Sequence, residues 1–157
     1  MPSLLKAAQL LPSGRAIGID LWKGSDQSGN SADATRRNAD RERVAERVEL
    51  HTGDMAAMPF EDATIDVVLS SMAIHNITSA EGRARALAEA VRALKPGGRL
   101  VIADIGNVTA EYASELRRRG MHDVRSRDLG WRFWYGGPWV STSLVTASRP
   151  GRLLSTA

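Results

Sequence analysis

Ile65-Asp66-Val67-Val68-Leu69-Ser70 is an apolar run of strand length broken by a single acid. Continuous runs of this kind suit strands of a parallel sheet buried on both faces, so this stretch predicts a central strand. On its C-terminal side, Thr78 with Glu81 three residues later forms a capping box, and Ala84, Leu87, Ala88, Val91 and Leu94 then recur at helical spacing as one apolar stripe. Lys95-Pro96-Gly97-Gly98 ends that helix in a structural turn, and residues 99–104, Arg-Leu-Val-Ile-Ala-Asp, read as another buried strand. A helix over about residues 109–119, stopped by Gly120, precedes two strand candidates, 123–129 and 139–148, joined across Gly136-Gly137-Pro138 without a helix between them.

On the N-terminal side the same alternation continues. Residues 4–11 form a short apolar helix closed by Pro12-Ser13-Gly14, and residues 15–20 read as a buried strand ending on Asp20. A polar loop over residues 22–29 follows, and residues 24–31 suggest the mouth of a site. Asn30 or Ser31 caps a helix over about residues 32–40, and residues 48–51 form another strand. Strands alternating with helices predict an α/β fold with a mostly parallel sheet, and the last pair predicts an antiparallel edge.

The chain has 157 residues, 43% of them hydrophobic, which is enough for one buried core and a single domain over residues 1–157. No apolar run approaches the length of a membrane span and the first residues lack a signal-peptide pattern, so the expectation is a soluble, cytoplasmic protein with no membrane partner. The absence of cysteine removes disulfides, thiolate metal sites and cysteine nucleophiles, and His51, His75 and His122 are too scattered to suggest a metal site. The net charge of +3 is uneven: from Gly106 onward there are eight arginines against four acids, concentrated at Arg117, Arg118, Arg119, Arg125 and Arg127. Cations at a helix C-terminus are favourable in themselves, so this surplus reads as a solvated helix end, not as a nucleic-acid surface.

Ligands of open α/β sheets bind beyond the carboxyl ends of the strands, which directs attention to the residues just after each one. Asp20 offers an acceptor-only, bidentate carboxylate for the vicinal hydroxyls of a ribose, or caps a loop. Asp54 with Met55 offers a carboxylate and a backbone N–H to an adenine edge, or makes a turn. Trp22 is either an aromatic wall for a nucleoside or ordinary packing. Ser70-Ser71-Met72-Ala73-Ile74-His75-Asn76 places small and polar groups where a ligand and a substrate would meet. In it His75 is the catalytic candidate, able to orient or deprotonate an acceptor, or a polar lining residue.

The order of these pieces resembles the class I S-adenosylmethionine-dependent methyltransferases, in particular the small-molecule group of ubiquinone/menaquinone-biosynthesis and arsenite-methyltransferase type. The resemblance runs over residues 4–104 and rests on four stretches. These are Gly18-Ile19-Asp20, Gly53-Asp54-Met55-Ala56-Ala57-Met58-Pro59-Phe60, Ile65 to Ser70 with His75-Asn76, and Leu94-Lys95-Pro96-Gly97-Gly98-Arg99-Leu100. It implies a Rossmann-like, doubly wound sheet and S-adenosylmethionine as cofactor. It also implies a ribose contact at Asp20, adenine packing on Leu21 and adenine-edge recognition at Asp54 and Met55, with Ser70 beside them. Methyl transfer needs positioning and exclusion of water more than a covalent nucleophile, which agrees with a sequence lacking an evident catalytic dyad.

Such enzymes carry a first strand and a loop patterned G-x-G-x-G ahead of the Asp20 strand, and the sequence has no such segment. The fold is therefore expected to be N-terminally incomplete, the chain truncated, and its activity as a separate polypeptide in doubt. The expected function is methyl transfer to a small-molecule acceptor, with carbon, oxygen, nitrogen and arsenic acceptors all compatible; the alternative is a catalytically dead, methyltransferase-like binding module. A nicotinamide dehydrogenase shares the acid after the Asp20 strand but predicts neither Gly53-Asp54 nor the terminal strand pair.

Overall fold

The computed structural model describes residues 2–22, 31–133 and 140–151. Two compact units divide the chain, Met1–Met58 and Pro59–Ala157. The expected loop at residues 24–31 lies, except for Ser31, outside the described residues, as does the Gly136-Gly137-Pro138 connection.

The first unit contains α1 (Pro2–Leu10), β1 (Ala16–Asp20), α2 (Ala32–Arg41), a 3-10 turn (Ala45–Arg47) and β2 (Val48–Thr52). Ser31 caps α2 through its Oγ, which accepts from the Ala34 N–H at 3.1 Å. Parallel neighbours require a crossover, supplied here by α2, and β1 runs beside β2 from Ala16 opposite Val48 to Asp20 opposite Thr52. Ala8, Ala16, Ala39 and Val44 are buried, with Leu4, Leu5, Leu11 and Val48 packed on them. The Arg47 guanidinium donates to the Leu11 carbonyl at 2.8 Å, satisfying an orphan acceptor beyond the end of α1.

The second unit contains β3 (Ile65–Ser71), α3 (Ala80–Ala93), β4 (Leu94–Ile105), α4 (Gly106–Arg118), β5 (His122–Asp128) and β6 (Thr142–Ser148). Its sheet order is β3-β4-β6-β5, with β3 parallel to β4 and β6 antiparallel to both β4 and β5. The antiparallel strand pair expected from the sequence is therefore present, although β6 begins later than expected. Leu87, Leu94, Leu100, Ile102, Tyr112, Leu116 and Val145 are its largest buried side chains together with Asp104. Lys95-Pro96-Gly97-Gly98 is a register-shifting irregularity within β4, between the Ile65–Leu94 and Val67–Arg99 pairs, and Gly97 has φ +82°.

Three expectations are corrected. Among the described residues β3 pairs only with β4, so it is an edge strand and Val67 and Leu69 stand 51% and 52% exposed. Ser79, not Thr78, caps α3: its Oγ accepts from the Gly82 N–H at 3.0 Å. A Cβ on residue 82 would lie 2.5 Å from Ile77 Cγ2 and 2.9 Å from Ser79 Oγ, so glycine is what admits this cap. The fully buried face of α3 is Ala86, Leu87, Ala90 and Ala93, while Ala84, Ala88 and Val91 are half-buried. Small side chains let this helix lie close on its neighbours, a preference that the larger apolar residues of the stripe do not reveal. No described helix is long and apolar enough to cross a membrane.

Candidate functional site

Each unit carries a cluster at the carboxyl ends of its parallel strands. In the first, Asp20 ends β1 and its Oδ1 accepts from the Trp22 N–H at 2.8 Å, a side-chain turn that takes Trp22 into the left-handed region at φ +54°. The Trp22 indole N–H donates to Thr52 Oγ1 at 3.0 Å, tying the segment after β1 to the end of β2. Gly53 N–H donates to the Asp20 carbonyl at 3.1 Å and carries the ladder one step further. Asp54 Oδ1 accepts from Ala56 N–H at 2.8 Å, which fixes the carboxylate in an exposed turn. Leu21 is exposed and Met55 half-buried beside these acids. Five of the sequence candidates, Asp20, Leu21, Trp22, Asp54 and Met55, thus share one end of this unit. Its chemistry is two carboxylate acceptors, each anchored by a backbone N–H, with the apolar Leu21 and Met55 next to them in sequence.

Ser70 and His75 belong to the second unit. Ser70 is half-buried near the end of β3, opposite Ile102 of β4. His75 lies on a 3-10 turn (Ile74–Asn76) where the chain leaves β3, and Met72 N–H holds the start of that segment to the Ala103 carbonyl at 2.8 Å. Arg83 fastens its far side: Nη1 donates to the Ile77 and Thr78 carbonyls at 2.9 and 3.0 Å, and Nη2 pairs with Glu111 of α4 at 2.8 Å.

So held, His75 places Nδ1 2.5 Å from Asp104 Oδ1, and its backbone N–H donates to Oδ2 at 3.1 Å. The Asp104 side chain is fully buried and also accepts from the Ile105 N–H at 2.9 Å and the Tyr112 hydroxyl at 3.3 Å. A buried carboxylate requires such partners. Burial first, and Asp104 second, push the Tyr112 phenol well above its ordinary value, so it remains a protonated donor. Because an ionised carboxylate only accepts, the network places a proton on His75 Nδ1, so that in the neutral imidazole Nε2 carries the lone pair. The His75 side chain is 19% exposed, open at one side.

Asp104 and Tyr112 are functional candidates that sequence reasoning missed. The available signal was an acid ending the strand next to the one that precedes His75. Elsewhere in this unit burial pushes the Glu115 carboxyl up, but Arg118 and Arg119 outweigh burial and hold it below its ordinary value. The arginine cluster is therefore partly the outer layer of an ion-pair network at the end of α4.

Residues 4–102 match the family described as "Methyltransferase domain". The chain is 42% identical over 81 residues to the ubiquinone/menaquinone biosynthesis C-methyltransferase UbiE of Ruegeria sp. (strain TM1040), covering 52% of this chain and 31% of that protein. It is 35% identical over 99 residues to the demethylmenaquinone methyltransferase of Symbiobacterium thermophilum, covering 63% of this chain and 36% of that protein. It thus spans about a third of the length of these relatives. In fold it is similar to the geranyl diphosphate C-methyltransferase of Streptomyces coelicolor A3(2), with TM-score 0.71 and 18% identity over 94% of this chain and 68% of that one. A methyltransferase of Methanosarcina mazei gives TM-score 0.71 and 15% identity over 95% and 87% of the two chains. The family match and these relatives show that the chain belongs to the methyltransferase-domain family of class I S-adenosylmethionine-dependent methyltransferases.

Proposed function

We propose that the protein transfers a methyl group from S-adenosylmethionine to a small-molecule acceptor, with His75 as the base that takes the acceptor's proton. The observation that carries this reading is the 2.5 Å contact of His75 Nδ1 with the fully buried Asp104. The relatives named for menaquinone biosynthesis and the neighbour named for geranyl diphosphate support a small-molecule acceptor.

The first unit's chemistry fits an adenosine moiety. Asp20 supplies an acceptor for ribose hydroxyls and Asp54 one for an exocyclic amine, with Leu21 and Met55 as apolar surface for the ring. Trp22 serves through its bond to Thr52, which keeps the Asp20 turn in place. In the second unit, Ser70 is a small, half-buried polar residue near the end of β3. S-adenosylmethionine, when held by these residues, would supply a methyl already activated as a sulfonium, with the S–CH3 electron pair staying on sulfur. His75 Nε2 accepts the proton as the acceptor heteroatom bonds to the methyl, and Asp104 steadies the resulting imidazolium. Asp104 is a positioning residue, since it acts through the imidazole.

Tritiated S-adenosylmethionine offered to the full-length protein with phenolic, quinol and amine acceptors tests this reading. Label is expected in the acceptor fraction, falling about 10²–10⁴-fold in His75→Ala. Cofactor binding without transfer to any acceptor identifies a catalytically dead binding module instead. Transfer at the parent rate in His75→Ala removes the base from the mechanism.

A further inference from the structure

The turn that carries His75 is held from both ends. Where it leaves β3, Met72 has φ +51°, a left-handed conformation that costs an L-residue free energy and persists only where neighbours impose it. Its N–H, bonded to the Ala103 carbonyl at 2.8 Å, supplies that restraint. At the other end the Ile77 and Thr78 carbonyls stand ahead of Ser79, whose carbonyl takes the first helical N–H, from Arg83 at 3.1 Å. The α3 ladder therefore offers the two earlier carbonyls no donor. The Arg83 side chain supplies both bonds from Nη1, at 2.9 and 3.0 Å. Its Nε and Nη2 go to the two oxygens of Glu111 on α4, at 3.1 and 2.8 Å. Four of the five guanidinium hydrogens are thereby committed in a planar fork, which fixes its orientation. The Arg83 side chain is 13% exposed, so water competes little for these bonds. Hydrogen bonding to Glu111 raises the Arg83 pKa against the burial that opposes it, and the fork stays charged.

Tyr112, the chain neighbour of Glu111, donates to Asp104. At two adjacent positions α4 thus grips the turn, through Glu111 and Arg83, and the carboxylate that His75 meets. We propose that Arg83 is a positioning residue for His75: by holding the Ile77 and Thr78 carbonyls it keeps the imidazole on Asp104, with Glu111 aiming the guanidinium. This rests on the reading of His75 as the base. His75 precedes Ile77 by two residues and its Nδ1 lies 2.5 Å from Asp104 Oδ1, so a displacement of the turn by about 1 Å takes the pair out of hydrogen-bond range. Off Asp104, Nδ1 loses the acceptor that fixes its proton, and the neutral ring samples both tautomers. Lysine at position 83 keeps a charge beside Glu111, but its compact ammonium cannot span two carbonyls and two carboxylate oxygens as the planar fork does.

Long-range 1H–15N correlation of the His75 ring in the full-length protein, without S-adenosylmethionine, reads the positioning directly. The ring is identified by its absence in His75→Ala, and circular dichroism shows whether each variant folds. The parent is expected as a single Nδ1–H tautomer, and Arg83→Ala and Arg83→Lys as mixtures of both. Glu111→Ala, which keeps the donor but frees its aim, should shift the same way by less. Glu111 is 38% exposed, so this variant keeps the proposal testable where Arg83→Ala does not fold. A single parent-like tautomer in every folded variant overturns the proposal. Tritiated S-adenosylmethionine with phenolic, quinol and amine acceptors reads the consequence for transfer. The rate should fall about 10–100-fold in Arg83→Ala, the scale of a ~1 Å misplacement. Added to His75→Ala, the same substitution should cost less than ~2-fold more, because residues acting as a unit are not additive. A loss as large in the His75→Ala background as in the parent overturns the positioning role. Mixed tautomers in the Arg83 variants together with no transfer by the parent defeat the catalytic reading alone.

Discussion

Asp104→Asn changes one atom of the side chain, and its consequences follow from the four hydrogen bonds the carboxylate accepts. If the amide oxygen faces His75 Nδ1 and the Ile105 N–H, its NH2 group meets the His75 backbone N–H, leaving two donors opposed in a fully buried place. The Tyr112 hydroxyl can rotate to accept, so about one donor is orphaned, costing ~1–3 kcal/mol. If the amide turns over, its NH2 faces Nδ1, which must then become an acceptor, and the ring proton moves to Nε2, where a base needs its lone pair. Stability falls in both arrangements, since in the second the NH2 opposes the Ile105 N–H, and base function is lost in the second as well. With a urea m-value of ~1–3 kcal/mol per molar, the first arrangement lowers the unfolding midpoint by about 1 M. Long-range 1H–15N correlation of the His75 ring reports the second, as a Nδ1–H tautomer in the parent and a Nε2–H tautomer in the variant. An unchanged midpoint together with an unchanged tautomer would refute the buried network.

Further outcomes follow from the same unit and from the sheet edges. Tyr112 keeps its proton in the folded state, so stability present below the unfolded tyrosine value should be lost as pH rises past ~10. In Tyr112→Phe that alkaline loss should be smaller in urea melts, and an identical slope contradicts the assignment. Glu115 is held below its ordinary value, so its contribution is present above ~4.3 and lost as pH falls through the folded value. Glu115→Gln should be less stable than the parent at neutral pH, with the difference shrinking below pH 4; a constant difference counts against the ion pairs. The protein is expected to self-associate, because among the described residues β3 pairs with β4 alone and its edge carries exposed Val67 and Leu69. A monodisperse monomer in size-exclusion chromatography opposes that expectation.

Much of the architecture was legible because it is written locally. The strands at β1 and β3, the Ser31 cap and the Gly120 stop each depend on neighbours within a few residues, and each lies where the pattern places it. Asp20 and Asp54 were singled out because the ends of parallel strands are identifiable before their partners are. Pairing at a distance was not legible. Asp104 reaches His75 across 29 positions, and nothing in either stretch specifies that the two meet. β3 has the composition of a central strand, but composition cannot report that, among the described residues, β4 alone is beside it. The exposure of Trp131 and Phe133 emerges only from the turn that carries them.

The central claim, that the acids at the strand ends hold an adenosyl cofactor, is tested most directly by titrating S-adenosylhomocysteine into the full-length protein and its Asp20→Ala variant in a calorimeter. Loss of the carboxylate leaves partners unmatched at ~1–3 kcal/mol, so binding should weaken by about 5–150-fold while circular dichroism shows the fold retained. Equal affinity in parent and variant, with the fold intact, contradicts the account.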